Sequence, residues 1–455
     1  MDNVTAGNAR ANKVCVIGGG ISGLACLYRL RQLGIDGHML ESAPRAGGVI
    51  GSVAQNGFLF ESGPQSFLAT NTLLALIREL NLDDELLVAD PRAPRFVVRH
   101  ERLHEIPMAP GALLRSGLLS VSTKARLLAD ALGRTHLPAR EESVADFVRR
   151  KFGNEILDYL VAPFISGVFA GDPESLSLAS AFPSAHQWER DYGSIVRGAM
   201  KSAKSAGKRP ALASFRGGME TLPKRLAERL ADAIQLNVTG ARLSFDQGEW
   251  TAHETTAPVF LDCGAAILAT PAHVAARQLP AGAQRVAELL EGIAYAPLAV
   301  VAAGYHHKQI GHPLLGFGFL VPRKEGLTTL GTVWNSSLFP GRAPEGMTVL
   351  TSFAGGATNL GIRQMSDTSV LDIITRENAK LLEISGPPVD HAVFRYDRAL
   401  PQYTLGHSDR IRAIDDALQS IPGLFLTGNY LAGPSIGNCV EHAFRTAESA
   451  AAYLK

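Results

Sequence analysis

Three glycines at the spacing Gly18-x-Gly20-x-x-Gly23 join a short apolar run, Lys13 to Ile17, to a segment with Leu24, Leu27, Leu30 and Leu33 on one broad face. A strand that turns through glycine into a helix presents backbone N–H groups at the positive end of that helix, where they bind pyrophosphate. Gly18, Gly19, Gly20, Ile21, Ser22 and Gly23 are the residues expected to line the loop. Gly34 is the expected helix stop. A second apolar run, Asp36 to Leu40, ends on Glu41, 21 residues past Gly20. A carboxylate there accepts hydrogen bonds from a ribose hydroxyl and repels a 2′-phosphate, which disfavours NADP.

The following residues extend this pattern. Glu41 to Gly48 reads ExxxRxGG, and Gly57 to Phe67 reads GFLFESGPQSF. The pairs Gly47-Gly48 and Gly63-Pro64 let the chain pass close to a long, flat ligand, and Arg45 is expected to face its phosphates. Far along the chain, Gly423 to Gly437 reads GLFLTGNYLAGPSIG, with Val440, Phe444, Ala447 and Ala451 following at helical spacing. A second helix N-terminus after a strand is suited to anionic charge on a ring system. The N-terminal motifs resemble those of FAD oxidoreductases in the amine-oxidase and phytoene-desaturase superfamily. No second Gly-x-Gly-x-x-Gly follows a strand, and no redox pair of cysteines occurs, so neither a separate NAD(P)H site nor a disulfide reductase is expected.

Four later segments are more particular: GVFAGDP (Gly167 to Pro173), SFRGGMETLP, TLGTVWNSSLFPGRAP and GNYLAGPSIGNCVEHA. Together they resemble the protoporphyrinogen oxidase family over nearly the whole chain. That resemblance implies a discontinuous Rossmann-like α/β domain for non-covalent FAD, an antiparallel-sheet substrate domain and a helical membrane-associating lobe. It implies FAD contacts on the loop 18–23, on Glu41, Ser42, Arg45, Gly47, Gly48 and Val49, on Gly63, Pro64, Gln65 and Ser66, on the Val238 backbone, and on Asn429, Pro434, Ser435 and Ile436. Many superfamily members have Asp where Asn429 stands, and Asn still hydrogen-bonds there. For the substrate, Arg95 matches an arginine that pairs with a propionate, a task its planar fork suits. Leu320, Val333 and Phe353 match positions that sandwich the tetrapyrrole, and the Gly167 to Gly171 backbone shapes the site. The family often has Leu at the place of Val333, which leaves pocket width open.

The implied reaction is the six-electron oxidation of protoporphyrinogen IX to protoporphyrin IX in three flavin cycles. Hydride leaves a meso carbon for flavin N5, and dioxygen (or a quinone) takes the electrons. The protein supplies orientation and dryness. No Ser-His-Asp set or carboxylate pair is apparent, so no acid or base is nominated. Three rivals stay open: coproporphyrinogen III oxidation, whose four carboxylates call for more cations than Arg95 alone; an amine oxidase or desaturase; and a flavin scaffold without turnover. Tyr430 alone makes no aromatic cage, and Cys439 lacks the surroundings of a covalent flavin link.

Several elements must hold these groups. The expected division is 13–94, 211–275 and 397–455 for the cofactor domain, 95–210 for a contact strand and helical lobe, and 276–396 for the substrate sheet. Asn71 to Leu80 is a capped amphipathic helix, and PLAVVAAGY, GFGFLVP, TLGTVW, TVLTSF and HAVFRYD alternate as strands. Val238, Leu243 and Trp250 sit in strand-like segments, and the basic stretch Arg197 to Pro210 reads as a mobile surface loop, or as a contact for an anionic membrane. With 44 basic and 43 acidic residues the net charge is +1, which argues against a nucleic-acid partner. Four scattered cysteines and 13 histidines show no metal-ligand spacing. No apolar run reaches the ~18 residues of a membrane span, and the N-terminus lacks a signal-peptide core. A cytoplasmic protein with peripheral membrane contact, hand-over to the next haem-pathway enzyme and a homodimer are the remaining expectations.

Overall fold

The computed structural model describes residues 12–107, 110–132, 138, 140–205, 211–254 and 260–455. Five parallel strands form the first sheet, in the order Ile234–Gln235, Asp36–Leu40, Lys13–Ile17, Ala265–Leu268 and Leu424–Leu426. They come from three separated stretches of chain. A sheet covered on both faces needs strands that are apolar throughout. Accordingly, Val14, Val16 and Ile267 enter one core, while Cys15, Ile17, Ala266 and Leu268 enter the other. The first face carries the helices Ile21–Gln32, Asn71–Glu79, Thr221–Arg229 and Ile436–Tyr453. Leu24, Leu27 and Leu30 are buried there as their spacing predicts; Leu33, in the cap, is exposed. The second face carries an antiparallel sheet (Arg242–Asp246, Glu249–His253, Phe260–Cys263) and the helices Ala272–Gln278, Gln284–Glu291 and His407–Leu418. All four cysteines are free and buried.

A larger sheet has seven strands, in the order Asp390–Pro401, Tyr295–His306, Met347–Gly355, Thr329–Trp334, Gly318–Leu320, Arg95–Arg99 and Arg102–Glu105. The strands expected to form an antiparallel sheet pair that way, and the sheet becomes mixed because Gly318–Leu320 also runs parallel to Arg95–Arg99. A hairpin from early in the chain thus completes a sheet built mainly from late strands. The last strand runs to Pro401, past residue 396. On one face Ala299, Val301 and Ala354 pack on Val370 and Ile374 of the helix Asp367–Leu382. Buried Asn378 of that helix bonds Thr332 and Ser352 from the same side.

Helices between residues 110 and 205 form a third region around Phe147, Val148, Ile165 and Phe169. Inside it, Lys151 Nζ lies 3.0 Å from Asp130 and 3.1 Å from Glu189. Such a cluster tolerates burial only because the cation and both carboxylates share partners. The expected loop at 197–210 is corrected: Ile195–Ser205 is a helix. Gly198 explains it, since a Cβ there would lie 2.3 Å from Trp188 Cβ, and only its absence lets the two helices pack. Residues 206–210 of that stretch lie outside the described residues.

Candidate active site

The nucleotide loop is built by backbone that tolerates no side chain. Gly18 has φ 107°, and a Cβ on Gly23 would sit 1.9 Å from the Gly18 carbonyl oxygen. Gly20 differs: its φ is −68°, and a Cβ there meets nothing within 4 Å. Glu41 accepts from the Gly19 N–H at 2.5 Å and from the Ala43 N–H at 2.7 Å. Ser42 Oγ donates to the same carboxylate at 3.2 Å. Val238 lies in irregular backbone beyond the strand Ile234–Gln235 rather than in the expected strand, and its N–H donates to the Glu41 carbonyl at 2.9 Å. The helix Ile436–Tyr453, capped at its N-terminus by Ser435, runs parallel to Ile21–Gln32: Cys26 Sγ donates to the Ala443 carbonyl at 3.0 Å and Arg29 to Glu448 at 2.6 Å. Two positive helix ends therefore converge at Gly20 to Ser22 and at Pro434 to Ile436.

From the nucleotide loop a chain of close contacts leads outward. Gly47 bridges Gly20, and a Cβ on Gly48 would lie 3.2 Å from Gly20 Cα. Arg45 donates to the carbonyls of Ala46, Gly48 and Ile50 at 3.1–3.2 Å and lies 3.5 Å from Glu220. Its guanidinium thus stabilises the turn that carries Gly47 to Val49. Gly63 packs on that turn so tightly that a Cβ would be 2.3 Å from the Val49 carbonyl oxygen. Pro64 and Ser66 flank Gln65, whose Nε2 donates to the Gly63 carbonyl at 2.8 Å. Asn429 begins the short helix Asn429–Ala432 and accepts, through its carbonyl, from Tyr403 Oη.

Register in the seven-stranded sheet assembles the other half. Arg95 pairs with Gly318, which pairs with Val333, which pairs with Thr351. Two residues along, Leu320 pairs with Gly331, Gly331 with Phe353, and Phe353 with Val300, which pairs with Phe394. Partners in register share a face, as do residues two apart, so Arg95, Leu320, Val333, Phe353 and Phe394 all project to one side. Leu320, Val333 and Phe353 are half-buried, while their neighbours Phe319, Thr332 and Ser352 on the opposite side are fully buried. Gly167, on the helix Ala162–Phe169, meets this face: a Cβ there would lie 2.7 Å from Leu320 Cδ2. Arg95 is half-buried with its guanidinium over the Phe317 ring at 5.3 Å. It makes no ion pair among the described residues, and burial lowers its pKa. A partly desolvated, unpaired guanidinium beside an apolar face suits a carboxylate on a flat hydrophobic ligand.

Some site residues carry little sequence signal. Ala269 and Thr270 close on the nucleotide loop, since a Cβ on Gly18 would lie 2.8 Å from Thr270 Cγ2. The turn after AAIL is their one visible sign. Gln402, buried, donates to the Phe169 carbonyl at 2.9 Å and so holds the end of the helix bearing Gly167. Tyr396, on the same sheet face as Phe394, donates to the Ser62 carbonyl at 3.1 Å. Nothing in local pattern marks either residue. Among the described residues no cluster of His, Cys, Asp and Glu fits a metal, and no helix is long and apolar enough to cross a membrane.

The chain matches the model of the family "Flavin containing amine oxidoreductase" over residues 21–455. It is 37% identical to the chloroplastic protoporphyrinogen oxidase of Oryza sativa subsp. japonica, covering 99% of this chain and 90% of that protein. It is 29% identical to the coproporphyrinogen III oxidase of Bacillus subtilis (strain 168), covering 97% and 98%. In fold it is similar to the crystal structure of a candidate protoporphyrinogen oxidase from Exiguobacterium sp. 255-15, with a TM-score of 0.83 at 24% identity over 97% of this chain and 99% of the other. With a nearly full-length match on each side, the chain belongs to the flavin-containing amine oxidoreductases and, among them, to the protoporphyrinogen oxidase family.

Proposed function

We propose that the protein oxidises protoporphyrinogen IX to protoporphyrin IX with FAD as cofactor and dioxygen as acceptor. One observation carries the reading: a single sheet face holds half-buried Leu320, Val333 and Phe353 beside Arg95, a cation with no ion pair among the described residues. A flat apolar macrocycle with peripheral carboxylates fits that pattern. The cofactor cradle also fits: the open side of Gly20 between two helix N-termini suits a pyrophosphate, and Glu41 with the Val238 backbone suits an adenosine end. Gly18 to Gly23, Glu41, Ser42, Gly47 to Val49, Gly63 to Ser66, Asn429 and Pro434 to Ile436 would hold it. Bound FAD supplies two-electron oxidation and reoxidation by dioxygen.

The protein's own part is positional. Arg95 orients the macrocycle through a propionate, Leu320, Val333 and Phe353 pack its plane, and the Gly167 backbone closes the face. Phe164 and Val168, exposed on the helix that carries Gly167, support a peripheral membrane contact through which an apolar substrate enters. Hand-over of product to the next haem-pathway enzyme and a homodimer belong to the same reading.

The test offers the purified yellow protein protoporphyrinogen IX and coproporphyrinogen III side by side, with porphyrin fluorescence and peroxide recorded. The expected result is faster oxidation of the dicarboxylate with about three peroxides per porphyrin, one per two-electron cycle. Preference for the tetracarboxylate would move the substrate assignment while keeping the cofactor. Oxidation of neither would sink the reading.

A further inference from the structure

The segment Glu61 to Gln65 leaves the nucleotide side of the molecule and is gripped at three places by residues of the substrate sheet and of the connection between two of its strands. Tyr396 Oη donates to the Ser62 carbonyl at 3.1 Å. Asn335, two residues beyond Val333, donates through Nδ2 to Gln65 Oε1 at 2.7 Å. Arg342 lies 3.6 Å from Glu61, and both are fully buried. The amide orientations follow from chemistry. Gln65 Nε2 is committed to the Gly63 carbonyl at 2.8 Å, with the Glu61 carbonyl at 3.5 Å. Its oxygen must therefore face Asn335, and Asn335 must answer with N–H. Asn335 Oδ1 has no hydrogen-bond partner among the described residues, so this amide is held by its Nδ2 bond, and its loss would leave buried Gln65 Oε1 unpaired.

The gripped segment is also the one that touches the nucleotide loop's support. The Ser62 N–H donates to the Gly51 carbonyl at 2.8 Å, and Gly63 packs against Val49. Displacement of Ser62 to Gln65 thus moves the cofactor-side backbone relative to Val333, Phe353 and the rest of the sheet face. Resting on the reading of flavin and tetrapyrrole given above, we propose that Asn335 and Tyr396 are positioning residues that set the approach of cofactor to substrate. They act through Gln65 and Ser62, without themselves touching the reacting atoms. An error of about 1 Å in such an approach costs on the order of a hundredfold in rate.

The experiment uses the FAD-loaded full chain with Tyr396→Phe and Asn335→Ala. Visible circular dichroism of the bound flavin, FAD affinity, and anaerobic flavin reduction by protoporphyrinogen are recorded. The expected result is altered flavin dichroism, with reduction slowed between about ten- and a hundredfold and both KM and FAD affinity held within about twofold. Wild-type dichroism and reduction rate in Tyr396→Phe, which removes a single oxygen and carries the test if Asn335→Ala does not fold, would overturn the proposal. So would a raised KM at unchanged rate, which marks a substrate contact, or loss of FAD, which marks cofactor retention. If the wild-type flavin is not reduced by the porphyrinogen at all, the substrate reading has failed. The dichroism then decides the clamp by itself, unchanged bands overturning it.

Discussion

The proposed site rests, at the scale of residues, on Arg95 and on the glycines of the first loop. Arg95 is half-buried over Phe317, with no acid paired to it among the described residues. Arg95→Ala is expected to raise KM for protoporphyrinogen with kcat little changed, since a charged hydrogen bond worth roughly 1.5–3 kcal/mol is lost from substrate and transition state alike. Steady-state kinetics checks it, and an unmoved KM would remove Arg95 from the site. Gly20 and Gly23 separate two uses of glycine. Gly23→Ala places a Cβ 1.9 Å from the Gly18 carbonyl, and backbone cannot yield there, so the fold of the loop is expected to fail. Gly20→Ala meets no protein atom within 4 Å at φ −68°, so its melting temperature should stay within a few degrees of the parent's. Its FAD affinity should nevertheless drop sharply, because the added methyl occupies the space assigned to phosphate. Flavin titration of Gly20→Ala at wild-type affinity would place the pyrophosphate elsewhere.

At the scale of elements, the helix Ile436–Tyr453 follows Leu424–Leu426, the edge strand of the five-stranded sheet, and packs back on that sheet. Ser435 caps it through the Asn438 N–H at 3.1 Å, and His442 Nδ1 meets Thr427 Oγ1 at 3.0 Å, just before the Asn429 turn. Burial, with Arg445 adding to it, lowers the His442 pKa from 6.5 to about 4. The unfolded chain therefore takes up the proton first as pH falls. The group's contribution is whole above pH 6.5 and is lost between there and about 4, a change of roughly 3 kcal/mol. His407, buried and lowered in the same direction, adds to that slope. Urea unfolding across this window should show stability falling with acidification, and His442→Asn should flatten the fall. An identical slope in the variant would assign the acid sensitivity to other groups.

For the molecule as a whole, the helical region and the substrate sheet meet through ion pairs as well as through Gly167. Arg99 lies 3.5 Å from Glu155, Arg323 3.2 Å from Asp172, and Lys324 2.5 Å from Asp158. The helix between these anchors turns Gly167 toward Leu320 and leaves Phe164 and Val168 exposed. Phe164→Glu with Val168→Glu is expected to reduce co-sedimentation with anionic lipid vesicles about tenfold or more, given the apolar area withdrawn from the contact, with the melting temperature retained. Equal sedimentation would mean that another surface meets lipid. The local geometry of the candidate cofactor site was legible from the sequence: glycine spacing, the Glu41 position and helix periodicity are properties of contiguous residues, and backbone geometry follows from them directly. The same alternation marked the strands bearing Leu320, Val333 and Phe353, and it is blind to which of their faces is filled. Only the tertiary structure decided that Arg95–Arg99 joins those strands in parallel, that Arg45 spends its donors on its own turn, and that Gly198 turns an expected loop into a packed helix. The Gln65–Asn335 bond spans 270 positions. Pairings of that kind depend on how separate elements close on one another, and no local spacing encodes which buried polar group will find which partner.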